Sequence, residues 1–285
     1  MTAASLLPAR PPRTRLPAGA CDCHMHIYGD PAQYPAPDDS PFRPVPGGTL
    51  DTYLQLRATL GLTRAVVVQP SAYGTDNRCT MAAVGRLGAD GRAVVVVDDT
   101  VPDAELQRLT DAGARGLRFF MLPGGVLGWD RLAPLAARVA PFGWHIQLQM
   151  DGRALPERAA ALAALPCPVV IDHNGKFLQP VDPDHPGFVA LCRLIESGRA
   201  WVKTSGVYET SRTGPPDYAD VALLARRLID RFPERCVWAT NWPHPSTPGN
   251  PPDDALLVDL FAEWCGSHDR MQRILVDNPA TLYGF

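Results

Sequence analysis

The stretch "CDCHMHIYG" (21–29) carries two histidines one residue apart, His24 and His26. On an extended strand residues i and i+2 emerge from the same face, so the two imidazoles stand side by side. By the same parity Asp22 faces with them, while Cys21 and Cys23 face away. The pair reads as half of a metal site, as a metal-free catalytic pair or as two core residues. Which of these holds depends on what the rest of the chain brings beside it.

This run is the first of eight. Segments rich in apolar and β-branched residues read as strands at 20–27, 64–71, 92–98, 114–121, 144–150, 168–174, 200–206 and 236–242. Several are continuous apolar runs, such as "RAVVVV", as parallel strands covered on the outside require. Helical patterns lie between them, among them "TLDTYLQLRATLG" and "YADVALLARRLIDRF", and several end in glycine, the favoured residue just past a helix. Strands alternating with helices predict an α/β fold, a single-domain (β/α)8 TIM barrel over residues 20–285. A doubly wound open sheet is the alternative, but no glycine-rich phosphate loop follows the first strand.

Composition narrows the function. With 46% hydrophobic and 20% charged residues in 285, the chain is an ordinary globular protein. A net charge of −3 gives no basic footprint for nucleic acid. No apolar run approaches the ~18 residues of a membrane span. Residues 1–19 contain three arginines, no acid and no continuous apolar stretch, and read as a disordered N-terminal arm. Seven scattered cysteines form no disulfide framework, which points to a reducing, cytoplasmic setting. The expected partner is a small-molecule substrate; homo-oligomerisation stays open.

In such barrels the chemistry sits at the C-terminal ends of the strands. His24 and His26 end the first strand, Gln69 the second and Gln149 the fifth, with Arg118 late in the fourth. Asp172 and His173 end the sixth, Lys203 and Ser205 the seventh, and Asn241 the eighth. His145 begins the fifth strand, at the opposite rim, and reads as structural. His185 and His268 fall in or beside helices and read as solvated.

Taken in order, "DCHMHIYG", "VVVQPSAYGTDNR", "GARGLRF", "GWHIQL", "PVVIDHNGK", "ATNWPHP" and "ILVDNPATLYGF" resemble the amidohydrolase superfamily. Within it, the likeness is to the family 2 branch of 2-pyrone-4,6-dicarboxylate and sugar-lactone hydrolases. The resemblance implies a catalytic set of His24, His26, His173 and the strand-eight residue. In the family that residue is an aspartate that takes the proton of the attacking water; here it is Asn241. A neutral amide cannot take that proton and can only orient a water or a carbonyl.

Metal-dependent members add a strand-five histidine or lysine, where this chain has Gln147 and Gln149. Amides are poor zinc ligands. The expectation is therefore a site without cofactor, in which His24 and His26 polarise a carbonyl by hydrogen bonds; were zinc to bind, those two would hold it. The resemblance also implies arginines that clamp carboxylates. Arg118 matches one, Lys176 replaces another, and positions near Gly124 and Thr210 carry none. Tyr73, Tyr208, Trp242, Gln69 and Gln149 are the remaining candidate lining residues. The expected function is metal-independent hydrolysis of a lactone or related cyclic ester with few carboxylates, with His173 as base. A zinc-dependent amidohydrolase or decarboxylase and a catalytically silent metabolite-binding barrel are the alternatives.

Overall fold

The computed structural model describes residues 6–247 and 249–285. Its eight strands are β1 (Cys21–Met25), β2 (Arg64–Val68), β3 (Gly91–Val95), β4 (Ala114–Phe120), β5 (His145–Gln149), β6 (Val169–Ile171), β7 (Ala200–Lys203) and β8 (Cys236–Val237). They form one sheet in sequence order with parallel neighbours. The ring closes between β1 and the segment after β8. Cys23 N donates to Trp238 O at 3.0 Å, Asn241 N to His24 O at 2.8 Å and His26 N to Trp242 O at 2.8 Å. This is the expected (β/α)8 barrel. Strand eight, expected over 236–242, ends at Val237, and Asn241 (φ 61°) and His244 (φ 62°) lie in left-handed backbone beyond it.

The helices are α1 (Leu50–Leu60), α2 (Arg78–Leu87), α3 (Asp103–Asp111), α4 (Trp129–Val139), α5 (Leu155–Ala163), α6 (Pro186–Glu196), α7 (Ala219–Arg231) and α8 (Asp254–Cys265). Two shorter ones, α9 (His268–Gln272) and α10 (Asn278–Tyr283), flank a π-helical stretch. Local chemistry sets their ends. The Thr49 side chain accepts from Thr52 N at the start of α1, and Gly61 closes it in the left-handed region. Asp253 accepts from the Ala255 and Leu256 amides at the start of α8.

The strands bury both faces. Ala65, Val67, Ile146, Leu148 and Val202 pack outward into one core with helix residues such as Leu56, Leu135 and Leu228. A second, smaller cluster fills the barrel from inside: Cys21, Cys23, Val66, Val68, Val94, Val170, Trp201, Val237 and Tyr283. Each aliphatic side chain so buried contributes about 1.5–3 kcal/mol.

The inner cluster overturns the simple parity of β1. Between Asp22 and Met25 the pairing with β2 slips: Asp22 faces Ala65 and Met25 faces Val67, three steps against two. This is a β-bulge, and one extra residue reverses which side chains point inward. Cys21 and Cys23 therefore line the inside of the barrel below the histidines. Asp22 faces away from them and accepts from Tyr53 OH at 3.1 Å, Thr240 Oγ1 at 2.6 Å and Thr240 N at 3.0 Å.

The expected disordered arm is also different where it is described. From Leu6 onward it lies on the barrel, with Leu6 and Leu16 buried. Asp259 accepts from Thr14 N at 2.9 Å and from Arg13 Nε at 3.0 Å, and Trp242 Nε1 donates to Leu6 O at 3.0 Å. Proline-rich sequence forbids a helix here but not docking through leucines and side-chain acceptors. Residues 1–5 lie outside the described part.

Candidate active site

The strand ends bring the expected histidines together. The His24 ring lies 4.8 Å from that of His26 and 5.0 Å from that of His173, centroid to centroid. Their hydrogen-bond partners assign the protons. His26 Nδ1 is 2.8 Å from Val68 O, which can only accept, so Nδ1 carries the hydrogen and Nε2 a lone pair. His24 Nε2 stands 3.2 Å from that lone pair and donates to it. His24 Nδ1 is then an acceptor, and Lys203 Nζ stands 3.2 Å away to supply the hydrogen. Burial pushes His26 down to about 3, and burial with the Lys203 charge holds His24 well below the usual histidine range. Both rings are neutral near pH 7. The expectation of two donors is thus corrected: the pair presents one N–H, on His24.

Beneath His24 lies a buried layer of strand-end residues to which the sequence reading gave no catalytic role. Lys203 Nζ donates to Gln147 Oε1 at 2.6 Å and stands 3.4 Å from Asp172 Oδ1; Gln147 Nε2 donates to Asp172 Oδ2 at 3.1 Å. Asp172 Oδ1 is also 3.4 Å from His24 Nδ1. Burial alone would raise the Asp172 carboxyl, but Lys203 and His24 more than offset it and hold it well below the carboxylate range. Burial lowers Lys203, with Asp172 opposing.

His173 sits in the left-handed region (φ 52°), as does its neighbour Asn174 (φ 56°). Such backbone costs about 1–3 kcal/mol for a residue other than glycine and persists where the surroundings enforce it. Its Nδ1 is 3.1 Å from Ser205 Oγ and its Nε2 3.7 Å from Glu209 Oε2. Gly206 makes the seat: a Cβ there would lie 2.7 Å from His173 Nδ1. Burial pushes His173 down to about 4, with Glu209 and Asp172 opposing. Glu209, although buried, is held down at about 2, chiefly by Lys176.

Asn241 donates from Nδ2 to Tyr208 OH at 2.9 Å. That hydroxyl is 2.9 Å from His244 Nδ1, and His244 Nε2 is 3.1 Å from Asp254 Oδ2. The sequence reading met His244 only inside the motif "ATNWPHP" and gave neither it nor Asp254 a role.

The substrate candidates divide. Arg118 is buried and pairs with no carboxylate among the described residues. It donates to Gln69 O at 2.7 Å, to Ser71 Oγ at 3.3 Å and to Gln149 Oε1 at 3.3 Å, and its Nε has no partner. Lys176 is instead neutralised, in direct contact with Glu209. The Gln69 side chain is spent on Gly74 O, Asp76 O and Thr80 Oγ1. Tyr73 OH accepts from Gly29 N at 3.1 Å. Trp242 is fully buried against Tyr53, on the arm side rather than in the mouth. His145 lies at the opposite end, against Tyr283, and His185 caps α6 by accepting from Gly187 N.

A family profile described as Amidohydrolase matches residues 21–285. The chain belongs to the amidohydrolase family. Among curated amidohydrolase relatives, it is 37% identical to a 2-pyrone-4,6-dicarboxylate hydrolase of Comamonas testosteroni, covering 95% of this chain and 92% of the relative. It is also 37% identical to a D-galactarolactone isomerase of Agrobacterium fabrum, covering 95% and 93%. An apo crystal structure from Agrobacterium tumefaciens superposes with a TM-score of 0.91 at 36% identity, covering 98% of both chains.

Amidohydrolase barrels raise the question of a metal. Among the described residues, His24, Asp172 and His173 offer ligand atoms up to 4.8 Å apart. Bonds of 2.0–2.1 Å in a tetrahedral zinc site put ligand atoms only about 3.3 Å apart. Asp172, the one anion of the set, is already matched by Lys203, and the same ammonium stands against His24 Nδ1. The His24 and His26 Nε2 atoms are suitably close, but the one anion, Asp172, lies at His24's other nitrogen and not beside them. These residues do not fit a resident zinc ion.

Proposed function

We propose that this barrel is a metal-independent hydrolase of small lactones or related cyclic esters carrying one carboxylate. The observation that carries the reading is Lys203 behind His24. An ammonium on Nδ1 fixes the hydrogen on Nε2, and that N–H, given to His26 Nε2 in the free site, turns to the carbonyl oxygen when substrate binds, the role a metal would otherwise fill. Arg118, the cation without a carboxylate partner, takes the substrate carboxylate.

In the proposed reaction a water attacks the lactone carbonyl. His173 donates from Nδ1 to Ser205 Oγ and receives the water's proton on Nε2, where Glu209 stabilises the imidazolium. His24 Nε2–H binds the oxyanion. The ring C–O bond then breaks, and His173 returns the proton to the leaving oxygen. The lactone-acting names of the relatives support this substrate class, and the seven free, buried cysteines support a cytoplasmic setting.

The test is proton release from a panel of lactones, with and without one carboxylate, by protein dialysed against EDTA. Hydrolysis of carboxylated lactones at an unchanged rate after chelation supports the reading. Turnover that requires stoichiometric zinc would replace it with the metal-dependent alternative. Thermal stabilisation by lactones without turnover would select the silent binding barrel, which Asn241 favours.

A further inference from the structure

An amide has two unlike faces, an accepting oxygen and a donating NH2. What Asn241 can do at the mouth depends on which face it presents, and a chain of three buried groups decides this. Asp254 begins α8, and Asp253 caps the same helix. As a carboxylate, Asp254 can only accept, so His244 Nε2 carries the hydrogen across their 3.1 Å contact. His244 Nδ1 is then a lone pair and takes the hydrogen of Tyr208 OH at 2.9 Å. With its hydrogen so placed, the phenol oxygen accepts from Asn241 Nδ2 at 2.9 Å. Asn241 Oδ1 is left as the free face. Asn241, His244 and Asp254 are each no more than 2% exposed, and Tyr208 is half-buried. Asn241 and His244 are both held in left-handed backbone, which surroundings must enforce.

We propose that Tyr208, His244 and Asp254 are positioning residues that fix the Asn241 amide with its oxygen toward the mouth, where it accepts a hydrogen bond from the attacking water. The inference rests on the hydrolase reading for the water, but not for the orientation. Asn241 takes no proton; it aims the water's oxygen at the carbonyl while His173 removes the hydrogen. The reversed chain, with Asp254 protonated, would put the hydrogen on His244 Nδ1 and turn the Asn241 NH2 outward.

The polarity is read by nitrogen NMR of the full chain labelled at histidine and asparagine, at pH 7.5 and without substrate. His244 is assigned by His244→Gln or, should that variant not fold, by the imidazole shift in Tyr208→Phe. Expected is an Nε2–H tautomer, with the Asn241 NH2 exchanging about tenfold faster in Tyr208→Phe, the scale of one lost hydrogen bond. An Nδ1–H tautomer, an imidazolium, or unchanged Asn241 exchange would overturn the orientation. With a hydrolysed lactone, Tyr208→Phe should lower kcat about tenfold and move KM less than about twofold. In an Asn241→Asp background, whose two oxygens need no orienting, the same change should cost less than about threefold. Equal losses in both backgrounds would overturn the positioning role. If no lactone is hydrolysed, the hydrolytic role falls while the tautomer still decides the orientation.

Discussion

Lys203 Nζ lies 3.2 Å from His24 Nδ1 and 3.4 Å from Asp172 Oδ1, with all three side chains fully buried. This buried ion pair thus stands behind the His24 imidazole. Lys203→Met would leave the Asp172 charge uncompensated in the core. We expect a loss of about 3–5 kcal/mol in unfolding free energy, the usual result of halving a buried pair. Adding Asp172→Asn should restore part of it. Urea unfolding of both variants checks this; a single variant as stable as the parent would mean that the pair is not charged.

A histidine base with an ordinary pKa would give an ascending pH limb near 6.5. Burial pushes His173 down to about 4, so the limb is expected there instead. Its neutral form, the one that accepts a proton, predominates across the range above. His173→Asn should lower turnover by about 10²-fold or more. A limb remaining at 6–7 in kcat/KM of the parent would count against His173 as the base.

Acid should also loosen the fold. His26, His145 and His173 sit at about 3, 3 and 4 when folded, below the unfolded value of about 6.5. Below that value the unfolded chain binds more protons, so their contribution is complete above about 6.5 and is lost as pH falls toward 4. Asp22 works the other way, because burial raises it to about 6 and protonation relieves that cost. Three groups against one give a net fall of a few kcal/mol between about pH 6.5 and 4. Denaturant midpoints at pH 7 and 4.5 measure it, and equal midpoints would contradict it.

Arg118→Met should raise KM for a carboxylated lactone about 10–100-fold, the worth of a charge-assisted contact, and leave an uncharged lactone nearly unaffected. Lys176→Met should act differently, on stability more than on KM, because that lysine is matched by Glu209. Parallel KM losses for charged and uncharged substrates in Arg118→Met would place the carboxylate elsewhere.

Much of this architecture was legible in the chain. Continuous apolar strands between glycine-terminated helices point to one barrel, and the strand-end rule selects His24, His26, Arg118, His173 and Asn241. The bulge in β1 was not legible, since one inserted residue leaves no mark on an apolar pattern yet reverses Asp22 and the cysteines. Nor were the partners of Lys176, Gln69 and Trp242. A lysine pairs or stays free according to what a distant loop offers, here Glu209. His244 and Asp254 lie ten positions apart across a turn-rich loop, and only the closed ring joins them to Tyr208. A basic, proline-rich leader read as disorder because its three leucines, Leu6, Leu7 and Leu16, mark no periodic pattern.

The seam between β1 and the segment after β8 has a further consequence. His24 and His26 stand on one side of it and Asn241 on the other, joined across it by the bonds Asn241 N to His24 O and His26 N to Trp242 O. Those bonds link the first strand of the chain to its last and carry the longest sequence separations in the barrel wall. A ribosome must therefore deliver nearly the whole polypeptide before His24, His26 and Asn241 can meet, whereas β2 to β7 can pair as they emerge. We expect the ring of strands to open first at this same seam. In mild denaturant, catalysis should fade before circular dichroism reports any loss of helix, so that activity serves as a gauge of ring closure.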